Sequence, residues 1–262
     1  MFFKQKLITE MKSMRFVLFM FILFLSTNLF SQLSKPGAEG MQVFKGNRGY
    51  FSLNAGPSIP LLDFSKSDIT NSSSGYAKIG YSVEANASFR ITPILSLGVM
   101  SFLNKNSTNL QPIVDYLKSN YPGYTWSGNS NDWNLYGFLG GVSWSYPVTP
   151  KVSAEVRALG GWLGAKSPEF SVTSTSGTDY SYFKIEEKYV NTWSYLIGMN
   201  IKYNLTKGFS AFWNIEFLGS NPNFRNVHTS LIVNGTSVTS NDASFNRKID
   251  ALIFGLGLRY TF

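Results

Sequence analysis

Taken two by two, the last fourteen residues, Ile249–Phe262, fall into two sets. Leu252, Phe254, Leu256, Leu258, Tyr260 and Phe262 are bulky and apolar, whereas Ala251, Ile253, Gly255, Gly257, Arg259 and Thr261 are mostly small or charged. A strand sends alternate side chains to opposite faces, so this pattern predicts a strand with one bulky face. In a soluble protein the second face would be the polar exterior, and glycines serve that purpose badly. The same alternation recurs through the chain. Ile79, Tyr81, Val83 and Phe89 interleave with Ser82, Glu84, Asn86 and Arg90; Tyr136, Phe138, Val142 and Trp144 with Gly137, Leu139, Gly141 and Ser143. Stretches around Leu95–Met100, Val152–Trp162, Trp193–Tyr203 and Phe209–Phe217 repeat it. With Gly49–Pro57 at the front, the chain predicts eight strands.

Their connections are of two kinds. Phe89–Ser96, Tyr146–Ser153 and Tyr203–Ser210 share an aromatic residue, a threonine three positions on, then Pro or Lys, then serine. Thr92, Thr149 and Thr206 are spaced by 57 and 57 residues, which marks one hairpin unit repeated with a tight turn at its centre. The other four connections, roughly 58–77, 104–133, 166–190 and 220–248, are long and rich in Ser, Asn, Thr and Gly. Short turns at one end and long loops at the other predict an all-β fold: an eight-stranded antiparallel up-and-down transmembrane β-barrel with four long extracellular loops and three short periplasmic turns. A soluble lipocalin-like barrel also has eight up-and-down strands. There the bulky face would turn inward, and Trp144, Trp162, Trp193 and Trp213 with Phe89, Tyr146, Tyr203 and Tyr260 would crowd the interior. Aromatics towards both ends of the apolar face suit two bilayer interfaces better.

The leader changes the picture by giving an address. Residues 12–31 begin with Lys12 and Arg15, continue with the apolar run Phe16–Leu25 and end in a small residue before Gln32. That is a secretory signal, too short in its apolar run to span as a helix. The expected organisation is a cleaved signal at 1–31, a short periplasmic segment at 32–48 and an outer-membrane barrel at 49–262. The net charge of +8 divides into +3 for the leader and +5 for the rest. The excess is spread thinly with no basic stripe, which excludes nucleic acid as a partner. Aromatic content is high at 16%, charged content low at 15%, and there is no cysteine for a disulfide, a zinc–thiolate site or a lipid anchor. No cofactor and no metal site is expected.

The inward parity carries the charges: Glu84, Arg90, Glu155, Arg157, Lys202, Glu216 and Arg259, with Asn54, Asn86, Asn200 and Asn214. An eight-stranded lumen is only wide enough to fill with side chains, and unpaired buried charges are costly, so these are expected to form a paired plug. A gated narrow pore is the functional alternative. Catalysis by paired carboxylates is set aside because no substrate could reach them. The chain's one histidine, His228, stands in the last loop with Ser230 and Asp242 nearby. The second loop holds Tyr116, Tyr121, Tyr124, Trp126 and Trp133 among Asn, Ser and Gly, with Leu110–Lys118 able to form a short helix started after Pro112. Exposed Tyr and Trp suit recognition of a glycan or an envelope protein. The bland alternative is that they pack on one another.

With these features in view, the chain resembles the small eight-stranded bacterial outer-membrane barrels: the OmpA-barrel and OmpX-like proteins and the "porin family" or PorT-like barrel proteins. The resemblance implies residence in the outer membrane among its lipids and lipopolysaccharide. It also implies that Tyr260 and the terminal aromatic Phe262 act as the signal read by the barrel-assembly machinery. No peptidoglycan-binding domain follows Phe262, so the envelope-tethering role of OmpA is not implied. His228, Ser230 and Asp242 faintly resemble the site of lipid A deacylase barrels, but Leu231 stands where that family has asparagine, and the acid is Asp rather than Glu. Two functions are open: a non-enzymatic interaction protein displaying its loops or docking to an envelope complex, and a narrow passage protein, porin-like or OmpW-like, for ions or small apolar molecules.

Overall fold

The computed structural model describes residues 49–262. The signal and the segment 32–48 lie outside the described residues. Eight strands close into an antiparallel barrel: β1 (Gly49–Pro60), β2 (Gly80–Arg90), β3 (Leu95–Asn106), β5 (Trp133–Pro147), β6 (Val152–Lys166), β9 (Tyr189–Asn204), β10 (Phe209–Ser220) and β13 (Ile249–Thr261). Each pairs with its sequence neighbour among these eight, and β1 pairs with β13 from Tyr50↔Thr261 to Pro60↔Ala251, so no barrel edge is left open.

The three periplasmic turns are built alike, as the threonine repeat predicts. Ile91 N–H donates to the Leu95 carbonyl, Val148 to Val152 and Leu205 to Phe209, at 2.9, 2.9 and 3.0 Å. In each turn the threonine hydroxyl accepts from the first strand residue that follows: Leu95 to Thr92 at 2.9 Å, Val152 to Thr149 at 3.0 Å, Phe209 to Thr206 at 3.1 Å. The threonine thus satisfies donors that the turn would otherwise leave to water.

Parity sorts the faces as expected. Leu53, Val83, Leu97, Val99, Phe138, Val156, Ile197, Met199, Ile201, Leu256 and Leu258 are exposed on the outside, a continuous apolar belt that only lipid can cover. Exposed aromatics rim it, with Phe89, Trp144, Tyr203 and Tyr260 below and Tyr81, Trp162, Trp193 and Tyr195 above. Trp193 and Tyr203 are ten residues apart on β9. At about 3.3 Å per residue and a tilt of about 40°, that is a height of roughly 25 Å, the thickness of the apolar band in membrane barrels.

The long connections are more regular than their composition suggests. They contain a one-turn helix α1 (Leu62–Ser65), a helix α2 (Gln111–Asn120) with Pro112 in its first turn, and a second sheet of five strands. Its order is β12 (Thr236–Asn246), β11 (Asn223–Val233), β8 (Asp179–Ile185), β7 (Phe170–Ser176), β4 (Thr125–Ser130). The third and fourth connections are therefore hairpins, β7–β8 and β11–β12, joined edge to edge where Thr229–Val233 pairs with Ser181–Ile185. The four expected long connections are present, and two of them are themselves strand hairpins.

Candidate functional site

Strand β6 reads out the lumen from bottom to top: Glu155, Arg157, Leu159, Leu163 and Ala165 are all buried inward. The charges run from the periplasmic end to the middle of the lumen, where Glu84 stands opposite Phe102 and Glu216 opposite Ile253 in the strand ladders. Arg259 forks onto Glu155 with contacts of 2.8 and 3.0 Å, and Glu155 also accepts from Tyr50 Oη at 3.3 Å, Ser145 Oγ at 2.9 Å and Asn200 Nδ2 at 2.9 Å. The Arg259 guanidinium lies 3.8 Å from the centroid of the Tyr50 ring. Next to this pair, Arg157 bridges two carboxylates, Glu84 at 2.9 Å and Glu216, and donates to Asn86 Oδ1 at 2.6 Å. Asn54 donates to Glu84 at 2.9 Å and holds Asn86 in turn. All three carboxylates and both guanidinium groups are buried. Charge-assisted, partly bidentate bonding of this kind is what lets ions sit inside a barrel wall.

Two adjacent groups thus take up five of the seven lumen charges that parity selects. Lys202 is buried beside them without an ion pair among the described residues, and Arg90 stands half-buried at the end of β2. Tyr50, which parity reasoning passes over, belongs to the site; its signal was its place on the inward set with Ser52 and Asn54. Two inner-wall glycines are spacers for this packing. A Cβ at Gly198 would lie 2.6 Å from Glu216 Cγ, and one at Gly137 2.5 Å from the Phe102 ring.

The extracellular half of the lumen is filled mainly by apolar side chains, with Ser58, Ser82, Asn104, Asn106 and Ser194 buried among them. Met100, Phe102, Leu135, Leu139, Leu163, Leu196, Leu218 and Ile253 fill it, each at most 4% exposed. Above them Trp133 packs edge-on to Phe64 at 5.5 Å and to Phe224 at 5.8 Å, while Phe224 stacks on Phe245 at 5.2 Å. Trp133 Nε1 donates to the Gly75 carbonyl at 2.9 Å. Trp133 is therefore the centre of an aromatic stopper supplied by the first, second and fourth connections. The expectation that it serves an exposed recognition surface is corrected: it begins β5, at 2% exposure, so its neighbours are core residues.

The other aromatics of the second connection do lie outside. Tyr116 is exposed on α2, and Tyr121 and Tyr124 follow that helix; Trp126, the second residue of β4, lies 6.1 and 6.0 Å from the rings of Tyr121 and Tyr124. Tyr121 and Tyr124 pack on Trp126, and these three also face the tip of the β7–β8 hairpin. With Asp179, Tyr180 and Asn234 they line a groove of about 380 Å³, in which Tyr116 takes no part. Lower on the same sheet Lys184 Nζ lies 3.0 Å from Glu169, whose hydrogen bond holds the ammonium pKa above its ordinary value. His228 sits directly opposite Asp242 in the β11–β12 ladder, with Nδ1 3.5 Å from Oδ1, and both side chains are exposed. This pair belongs to the extracellular sheet rather than to a lipid-facing barrel strand. Tyr260 and Phe262 are exposed at the periplasmic rim, where Phe262 stacks on Phe51 at 5.3 Å.

A closed antiparallel barrel with an apolar belt outside, ion pairs inside and tight turns at one end has the architecture of a membrane-spanning β-barrel. Neither a protein-family model nor a curated protein matches the sequence. Among solved structures the chain is similar to Ail, the attachment invasion locus protein of Yersinia pestis, with 12% identity, TM-score 0.40 and coverage of 82% of this chain and 99% of that one. Neisserial surface protein A gives 12% identity, TM-score 0.44 and 82% and 97% coverage. A major outer membrane protein from Thermus thermophilus gives 15%, 0.39, and 82% and 99%. The likeness is one of fold.

Proposed function

We propose that this chain is a non-enzymatic surface protein: the barrel anchors it, and the extracellular sheet is the part that recognises. The observation that carries this reading is the filling of the lumen along its whole height, with ion pairs from the periplasmic end to the middle, mainly apolar side chains beyond them and the Trp133 stopper above. A wall committed to lipid outside and to packing inside leaves the extracellular sheet as the free surface. That sheet is itself built from paired hairpins, so it can hold a binding surface in one shape.

Passage of ions or small apolar molecules is the rival reading, and it would require the stopper and both ion-pair groups to move aside together. An enzymatic reading has less support, since the His228–Asp242 pair is exposed to water on the extracellular sheet. The test is genetic. A strain lacking residues 110–130 should lose the surface phenotypes that deletion of the whole gene abolishes, while the truncated protein still shifts on heating in mild-detergent gels. Retention of every phenotype by that strain would place the working surface elsewhere.

A further inference from the structure

The groove at the tip of the extracellular sheet has a more specific chemistry than surface display requires. Its floor is a row of cross-strand neighbours: Trp126 opposite Ser174, Ser174 opposite Ser181, and Ser181 opposite Val233. The two small serines, their hydroxyls 2.5 Å apart, leave a trough between the larger flanking side chains. Tyr121 and Tyr124 stand beside Trp126 and make an aromatic wall, and Tyr180, next to Ser181 on β8, also lines the groove.

The polar end is fixed by a turn. Asn234 and Gly235 turn the β11–β12 hairpin with φ of 48° and 80°, the left-handed pair that a tight hairpin turn demands. Asn234 then clamps this tip to the neighbouring hairpin. Its N–H donates to the Tyr180 carbonyl at 2.8 Å, its Oδ1 accepts from Tyr180 N–H at 2.8 Å, and its Nδ2 donates to Asp179 Oδ1 at 3.4 Å. The carboxylate of Asp179 is thereby held at the groove. Among the described residues no Lys, Arg or His lines the groove.

From this geometry we infer that the groove is a binding site for a neutral saccharide. Aromatic faces cover the C–H faces of a pyranose ring with little side-chain entropy lost. The Asp179 carboxylate, the Asn234 amide and the serine hydroxyls then take up ring hydroxyls, which supply both donors and acceptors. A site with one carboxylate and no cation disfavours phosphorylated, sulfated or uronic-acid sugars by like-charge repulsion. The volume of about 380 Å³ is in the range of small-ligand sites and suits one or two sugar rings.

This inference rests on the surface-display reading and names its ligand class. The test uses the full mature barrel refolded in detergent. Saturation-transfer NMR and calorimetry are run against a panel of neutral mono- and disaccharides of glucose, galactose, mannose and N-acetylglucosamine, with sucrose octasulfate as the anionic comparison. At least one neutral sugar should bind with its ring C–H protons saturated. Trp126→Ala and Tyr180→Ala should each weaken that binding about tenfold or more, as truncation of a central aromatic anchor does. Asp179→Ala should weaken it while leaving unfolding by urea unchanged, which separates loss of a contact from loss of the fold. Preference for the sulfated sugar, binding unaffected by Trp126→Ala and Tyr180→Ala, or no binding across the neutral panel would each overturn the proposal. If no sugar binds yet deletion of 110–130 removes the surface phenotype, the saccharide inference fails and the display reading stands.

Discussion

Replacing Arg157 with alanine is the sharpest perturbation of the lumen. The guanidinium, 5% exposed, is shared by two carboxylates whose side chains are 0% exposed, Glu84 and Glu216, and it also donates to Asn86. Removing it leaves two acidic side chains side by side in a packed interior with no cation between them. Breaking a single buried pair costs about 3–5 kcal/mol, so stranding two acids should cost about 5 kcal/mol. Arg259→Ala strands one acid only, and Glu155 keeps the donors Tyr50, Ser145 and Asn200; about 3 kcal/mol is expected. Urea unfolding of the barrel in lipid vesicles, followed by tryptophan emission, measures both. The reasoning also predicts that Arg157→Ala becomes much cheaper in a Glu84→Gln, Glu216→Gln background, since neutral amides need no counter-ion. A loss under about 1 kcal/mol for Arg157→Ala, or a larger loss for Arg259→Ala, would refute it.

Other outcomes follow from the same geometry. Trp133→Ala should destabilise the barrel by about 3–5 kcal/mol as a core truncation, whereas Trp126→Ala should change stability by less than about 1 kcal/mol; unfolding midpoints check the contrast. Gly198→Val should cost about 1–3 kcal/mol through its clash with Glu216, read by the same assay. Cysteines at Lys118 and Lys184 should react with an impermeant thiol reagent on intact cells and one at Lys207 should not; the opposite labelling would invert the orientation. Mature protein should begin near Gln32 by amino-terminal sequencing.

The wall of the barrel was legible because lipid and lumen demand opposite chemistry at alternate positions. Phe51, Leu53 and Leu258 on one side and Asn54, Glu155 and Arg259 on the other make the parity plain. The turns were legible because Thr92, Thr149 and Thr206 each do one local job. The apolar side chains of the upper lumen were harder to read. Where Leu139 follows Phe138, or Leu196 lies between Tyr195 and Ile197, both faces are hydrophobic and alternation carries no signal. Fourth-connection residues such as Phe224 and Phe245 gave no hint that they would cap the lumen. Trp126 and Trp133 look equivalent in a loop of Ser, Asn and Gly, and only tertiary contact separates a groove wall from a stopper. The outer hairpins were missed because their runs of Ser and Thr, as in Phe170–Ser176, resemble loop composition although they pair as strands.

The central claim, a barrel sealed along its axis that works through its outer sheet, is tested most directly by single-channel recording of the purified wild type in a planar bilayer. The filled lumen predicts a silent bilayer, at most brief and irregular events. Steady openings in the nanosiemens range would contradict it, because an aqueous path of that size cannot coexist with Arg157 and Arg259 locked onto their carboxylates beneath the Trp133 stopper.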